Sequence, residues 1–253
     1  MWTYSLTYKY NPHFSAKNSK NNNLEQQAQA LYKSWFVDFE PFKGGKFVDS
    51  ELGGIPEGWR VSSLKCVATI TKKTVSPNIF PNNIFEHYSI PAYDTDMMAN
   101  YEFGETILSN KYSIDANCIL VSKLNPRIKR IWLPICQTEN SVCSTEFVAL
   151  KPIIDGTLPY LYCLISSSSF YGFILSLTNG STGSHQRFQP ESSLDYAFVE
   201  PNSDAKEKFC RLIAPILSEK HKNQKETQKL SAIRDSLLPK LMSGELKIND
   251  LNS

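Results

Sequence analysis

Four positive charges fall within nine residues at 122–130, SKLNPRIKR, with no acid among them. Lys123, Arg127, Lys129 and Arg130 supply the charge, and Asn125-Pro126 between them favours a turn. A basic corner between two strands can contact phosphates, and arginine or asparagine can address base edges through paired hydrogen bonds. The same residues would also serve as a solvated hairpin turn. A second candidate lies at 179–188, NGSTGSHQRF. Its glycines permit close backbone approach, and Ser184, His185, Gln186 and Arg187 offer donors and acceptors suited to base edges. No Lys-Ser/Thr pair follows the glycines, so it does not match a phosphate-binding P-loop. Ser184 beside His185 is adjacency alone, without a nucleophile elbow or an oriented carboxylate. The plain alternative is an ordinary connecting loop.

Little else in the sequence suggests chemistry. His13, His87, His185 and His221 show no metal-ligand spacing. The six cysteines are scattered and none forms a C-x-x-C pair, so neither a zinc site nor a disulfide framework is expected. No catalytic residue, metal or cofactor is assigned. The net charge is only +2, so any nucleic-acid affinity must come from local charge. With 41% apolar and 21% charged residues the chain reads as globular. Reduced thiols, an N-terminus without an apolar export signal and no run of membrane-spanning length together predict a cytoplasmic protein.

Two seamed helices must frame whatever these loops do. At 204–248, Phe209, Ile216, Asn223, Leu230 and Leu237 recur every seven residues, flanked by Leu212, Ile213, Ile233 and Leu241. Such a repeat needs a partner helix, and a polar residue in the row, here Asn223, can fix register. An amphipathic helix lying on its own domain is the simpler reading. Pro215 should kink this helix or mark its true start, and Pro239 with Gly244 should stop it. Ten Lys or Arg against six Asp or Glu make the stretch mildly basic, as a solvated outer face would be. At 24–37, Leu24, Ala28, Leu31 and Trp35 give a shorter helix with one apolar seam, and Leu31 and Trp35 are its pairing candidates.

The domain plan is then a poorly ordered lead-in at 1–23, a short helix and linker at 24–49, a mixed domain at 50–203 and the long helix with its tail at 204–253. Within the mixed domain the sequence predicts a short helix over 61–70. Strands are predicted at 87–90, 118–122, 130–136, 145–151 and 196–199, and two helical pieces between 158 and 177 broken near four serines. Irregular alternation of strands and helices argues for an α+β fold.

Several stretches together resemble a known family. QQAQALYKSWFVDFEPF (26–42) followed by ELGGIPEGWRVSSL (51–64) is similar to the junction after the central conserved segment of Type I restriction-modification specificity subunits. ILVSKLNPRIKR (119–130), STEFVALKP (144–152), NGSTGSHQRF (179–188) and VEPN (199–202) resemble their target-recognition domains. KLSAIRDSLLPKLMSGELKI (229–248) is similar to their distal conserved helix. The resemblance implies a non-catalytic subunit that reads double-stranded DNA through a target recognition domain. It implies a long C-terminal coiled-coil helix that spaces domains and docks methyltransferase subunits, with a separate motor-nuclease subunit that cleaves. This chain looks like a half subunit with one recognition domain, completed by a homodimer partner or a second half subunit. A helix over 205–238 would be about 50 Å long, enough to hold two domains over half-sites about 34 Å apart. Two other readings remain open: a coiled-coil protein-interaction module without DNA recognition, and the recognition domain of a DNA methyltransferase that has lost its catalytic half.

Overall fold

The computed structural model describes residues 12–178 and 186–245, of which 12–19 are described by backbone only. Ser184 and His185 therefore lie outside the described residues. In chain order come α1 (Pro12–Phe36), β1 (Phe47–Ser50), β2 (Gly53–Pro56), β3 (Arg60–Ser63), β4 (Ala68–Thr71), β5 (Thr74–Val75) and β6 (Ile84–Tyr88). Then follow α2 (Ile90–Thr95), β7 (Asn100–Phe103), β8 (Lys111–Ser113), β9 (Ile119–Ser122), β10 (Ile131–Trp132), β11 (Ser141–Ser144) and β12 (Phe147–Pro152). The order ends with α3 (Leu158–Ser166), α4 (Ser168–Ser176), β13 (Ala197–Glu200) and α5 (Ser203–Met242). The fold is α+β, with a long C-terminal helix, as the alternation of patterns implied.

The chain divides into two units, residues 27–215 and residues 1–26 with 216–253. In the larger unit a four-stranded antiparallel sheet, β10-β9-β12-β4, and a mixed five-stranded sheet, β5-β8-β11-β6-β7, share a core. Tyr88, Leu120, Trp132, Cys143, Phe147 and Ala149 fill it, alternating along each strand as the two-residue period requires. The chain passes from one sheet to the other at Lys72-Lys73 and again at Thr145-Glu146. The serine run breaks the helical stretch because Ser167 is extended and its hydroxyl caps α4 by accepting from the Phe170 N–H.

At the base of this unit, Phe36, Trp59, Tyr160 and Phe209 bring the end of α1, the turn before β3, α3 and the start of α5 together. Phe36 and Phe209 lie 4.7 Å apart, ring to ring, and Phe36 and Tyr160 5.2 Å. Phe209 is fully buried. A charged clamp adds to it. Glu200 on β13 accepts from Arg60 Nη2 at 2.8 Å and from Lys206 Nζ at 2.9 Å, tying the β3–β13 ribbon to the first turn of α5.

In the smaller unit α1 and α5 are paired through polar side chains. Asn223 Nδ2 donates to Asn21 Oδ1 at 3.2 Å, and buried Lys220 pairs with Glu25. These bonds help hold 21–25 helical, and α1 extends back past residue 24 to Pro12. The NSKNNN tract has weak helix propensity, and tertiary partners override it.

Three further expectations are corrected. Residues 61–70 form strand, 3-10 turn and strand instead of a helix. Their Val61, Leu64 and Ala68 spacing mimics a helical face, but Val61 pairs with Val199, and Ala68 sits opposite Pro152 on β12. The predicted strand at 130–136 shrinks to Ile131–Trp132. Pro134 has no N–H to give a ladder, and the Ile135 and Cys136 N–H groups turn to the Tyr88 hydroxyl. Finally, α5 is helical through Pro215 and runs past Pro239 to end before Gly244, whose φ of +75° suits a glycine stop. Pro215 falls at the boundary between the two units.

Candidate nucleic-acid interface

One end of the four-stranded sheet gathers the candidate residues. β9 finishes there at Ser122, β10 and β12 start there at Ile131 and Phe147, and β4 finishes there at Thr71. The basic corner, the Thr145-Glu146 crossover and the Lys72-Lys73 crossover therefore emerge side by side. The segment after the glycine-rich loop joins them. The Asn125 N–H donates to the Gln186 carbonyl at 2.8 Å, and Leu124 and Arg187 form a single antiparallel bridge. Two stretches more than fifty residues apart in sequence thus form one surface.

The corner itself is shaped by its turn. Asn125 takes a left-handed φ of 47°, a conformation asparagine tolerates, and the Ile128 N–H closes the turn on the Asn125 carbonyl at 3.0 Å. The Tyr171 hydroxyl of α4 braces it from below, 2.9 Å from the Pro126 and Arg127 carbonyls.

The four charges of the corner separate into two pairs. Arg130 is buried, with Nε 2.6 Å and Nη2 2.8 Å from the two carboxylate oxygens of Asp94 on α2. Lys129 donates to the Ser166 carbonyl at 2.7 Å and lies 5.5 Å over the Tyr171 ring. Both are committed to their own domain, so the expectation that all four face a ligand needs correcting for Arg130 and Lys129. Among the described residues, Lys123 and Arg127 have side chains with no hydrogen bond or ion pair, and Arg127 is exposed. Asn125 is half-buried beside them, and Gln186 is buried.

Arg187 meets Glu146 with Nε at 2.9 Å and Nη2 at 3.2 Å, and this pairing raises its pKa further. Lys72 pairs with Glu191, and the lysine holds that carboxyl below its usual range. Glu146, Glu191, Lys72 and Lys73 had escaped the sequence reading. Lys72-Lys73 was visible as a dibasic pair, whereas nothing local marks the two glutamates. Around this end, seven cations (Lys72, Lys73, Lys123, Arg127, Lys129, Arg130, Arg187) face three carboxylates (Asp94, Glu146, Glu191). The surface is locally positive although the chain as a whole is nearly neutral.

The helix-pairing candidates fall along α1 and α5. Trp35 lies 5.7 Å from Phe209, ring to ring, and Leu31, Ile216, Asn223 and Leu237 are half-buried. Leu230, 45% exposed, does not lie in a buried seam. Beyond Phe209 the buried positions on α5 are Cys210, Ile213, Leu217 and Lys220, and from 221 onward the described residues are half-buried or exposed. Lys220 and Asn223 bond across to Glu25 and Asn21 of α1, while Leu230, Ile233 and Leu238 face outward. Among the described residues no single helix is long and apolar enough to cross a membrane.

No family model matches the sequence. Curated relatives do. The chain is 26% identical over 248 residues to the Type I restriction enzyme MjaIX specificity subunit of Methanocaldococcus jannaschii, covering 93% of this chain and 56% of that one. It is 23% identical over 295 residues to the HindI specificity subunit of Haemophilus influenzae, covering 89% and 62%. The chain spans little more than half the length of the relatives it matches. Among solved structures, the fold matches an HsdS subunit from Thermoanaerobacter tengcongensis with a TM-score of 0.53 at 18% identity, over 77% of this chain and 50% of that one. It matches the S subunit of a Type-I restriction-modification system from M. genitalium with a TM-score of 0.50 at 14% identity, over 90% and 58%. A third match, at TM-score 0.52 and 19% identity over 76% and 49%, comes from work on complex assembly of the type I R-M system. Over most of its length, then, the chain has Type I restriction enzyme specificity subunits as its curated homologues and HsdS subunits as its structural neighbours.

Proposed function

We propose that this chain is a non-catalytic DNA-recognition subunit of a Type I restriction-modification system, acting in the cytoplasm. Its larger unit reads one half of a bipartite site in double-stranded DNA. Its paired helices dock methyltransferase subunits and, through the assembled complex, the motor-nuclease subunit. The observation that carries the reading is the convergence of the basic corner, the two crossovers and the Gln186-Arg187 segment at one sheet end. That end has a surplus of cations, in a chain whose relatives are specificity subunits. Lys123 and Arg127 are placed for phosphates, which set register and affinity. Asn125 and Arg187 are of the types that address adenine and guanine edges.

The test is selection of bound duplexes from a random pool by the full chain co-purified with its modification subunit, repeated at rising salt. A recurrent half-site motif and affinity that falls steeply with salt are expected, because phosphate contacts release counterions. The exposed Leu230, Ile233 and Leu238 favour a rival reading, a protein-interaction module alone. That reading predicts apolar docking that salt barely weakens and no motif in the pool.

A further inference from the structure

We propose that Glu146 and Arg187 act as one base-reading unit, in which Glu146 holds the Arg187 guanidinium in the plane needed to meet a guanine in the major groove. The inference rests on the recognition role proposed above and adds an acidic residue to it.

Exposure separates this pair from the equally bidentate Arg130–Asp94 pair, because Arg130 is 7% exposed and Arg187 44%. Glu146 grips Arg187 through both Nε and Nη2, at 2.9 and 3.2 Å, and two bonds to one carboxylate fix the plane of the fork. The backbones on either side are tied down without it. The Lys123 N–H donates to the Glu146 carbonyl at 2.9 Å, and the Glu146 N–H to the Ser144 hydroxyl at 3.2 Å. The 186–187 segment is held by the Asn125 bond to Gln186 and the Leu124 bridge. A pair with side chains 44% and 28% exposed adds little stability on top of those ties.

Phosphate binding does not account for the pair either. An arginine balanced by a carboxylate attracts a polyanion weakly, and a carboxylate on a phosphate-binding face works against non-specific affinity. Arg127 has no such counter-ion among the described residues, and Lys123 makes no ion pair with the nearby Glu191. What the pairing does supply is a fixed orientation. Guanine presents O6 and N7 side by side, and a held guanidinium can meet both with coplanar N–H groups. Lysine carries the charge without the fork.

The experiment compares wild type, Arg187→Ala, Arg187→Lys and Glu146→Gln, each as the full chain co-purified with its modification subunit. Each is taken through selection from a random duplex pool and through a thermal melt. Glu146→Gln keeps side-chain size and one acceptor, so it reports on orientation with the loop's other ties in place. The expected result is a wild-type motif with a fixed G·C pair that both Arg187 variants relax about 10- to 100-fold. Glu146→Gln should relax that same pair while binding unrelated duplex more tightly than wild type. Variants that select the wild-type motif and only melt earlier would make the pair a structural tie and overturn the inference. So would uniform weakening on all sequences by Arg187→Ala, which would make it a phosphate contact. A wild-type chain that selects no motif removes the recognition reading itself, and this inference with it.

Discussion

Lys129 and Arg130 follow Arg127 directly in the basic corner after one isoleucine, yet their charges bind their own domain, at the Ser166 carbonyl and at Asp94. Substitutions should therefore divide the corner. Replacing both Lys123 and Arg127 with alanine should lower the salt slope of DNA binding by roughly two and leave the melting temperature alone, since each phosphate contact contributes about one. Arg130→Ala should do the reverse. Removing its two charge-assisted bonds costs about 2 kcal/mol of stability, read in a denaturant melt, with the salt slope unchanged. Equal slopes for wild type and the Lys123/Arg127 double variant would reduce the corner to a turn.

At the scale of elements, α5 is anchored at its first turns by one ring and one carboxylate. Phe209 is fully buried against Phe36 and Trp35, and Phe209→Ala should cost about 3–5 kcal/mol because the surrounding rings cannot close the cavity. Glu200 makes the anchor acid-sensitive. Burial pushes its carboxyl up, but the bonds from Lys206 and Arg60 outweigh burial and the net pKa is lowered. A carboxyl depressed in the folded state stabilises fully above its unfolded value, near about 4.3, and loses that contribution as pH falls through the lower folded value. The melting temperature of the wild type should thus fall more steeply below about pH 4.3 than that of Glu200→Gln. Parallel acid curves would show that the clamp carries no coupling.

For the molecule as a whole, the open question is what meets the outward leucines of α5. Self-association through Phe209 is not available, because its ring is enclosed within the chain. Leu230, Ile233 and Leu238 remain on the outer face at 45%, 44% and 42% exposure. A second copy is the occupant we propose. Light scattering should find a dimer at tens of micromolar (an order-of-magnitude concentration), and Leu230→Glu with Ile233→Glu should return a monomer of unchanged melting temperature. A wild-type monomer at that concentration would remove self-association and leave the face to a foreign partner.

The sequence by itself determined what depends on neighbours in the chain. Those features are the α+β alternation, a helix ending near residue 37 and a long one starting near 204, the break near the four serines, and the basic turn around Asn125-Pro126. The end motifs also carried the family resemblance. Other features were decided by partners far away in sequence. Arg130 turned inward because α2 brings Asp94 to it, a pairing 36 residues long that no local pattern encodes. Arg187 met Glu146 because the crossover between β11 and β12 emerges beside the 186–188 segment. On α5 the contacts with α1 run through Asn223–Asn21 and Lys220–Glu25, polar pairings that an apolar count of the stripe does not reveal. Periodicity reports which residues could share a face, whereas only the packed chain fixes which charges find a partner and which are left for a ligand.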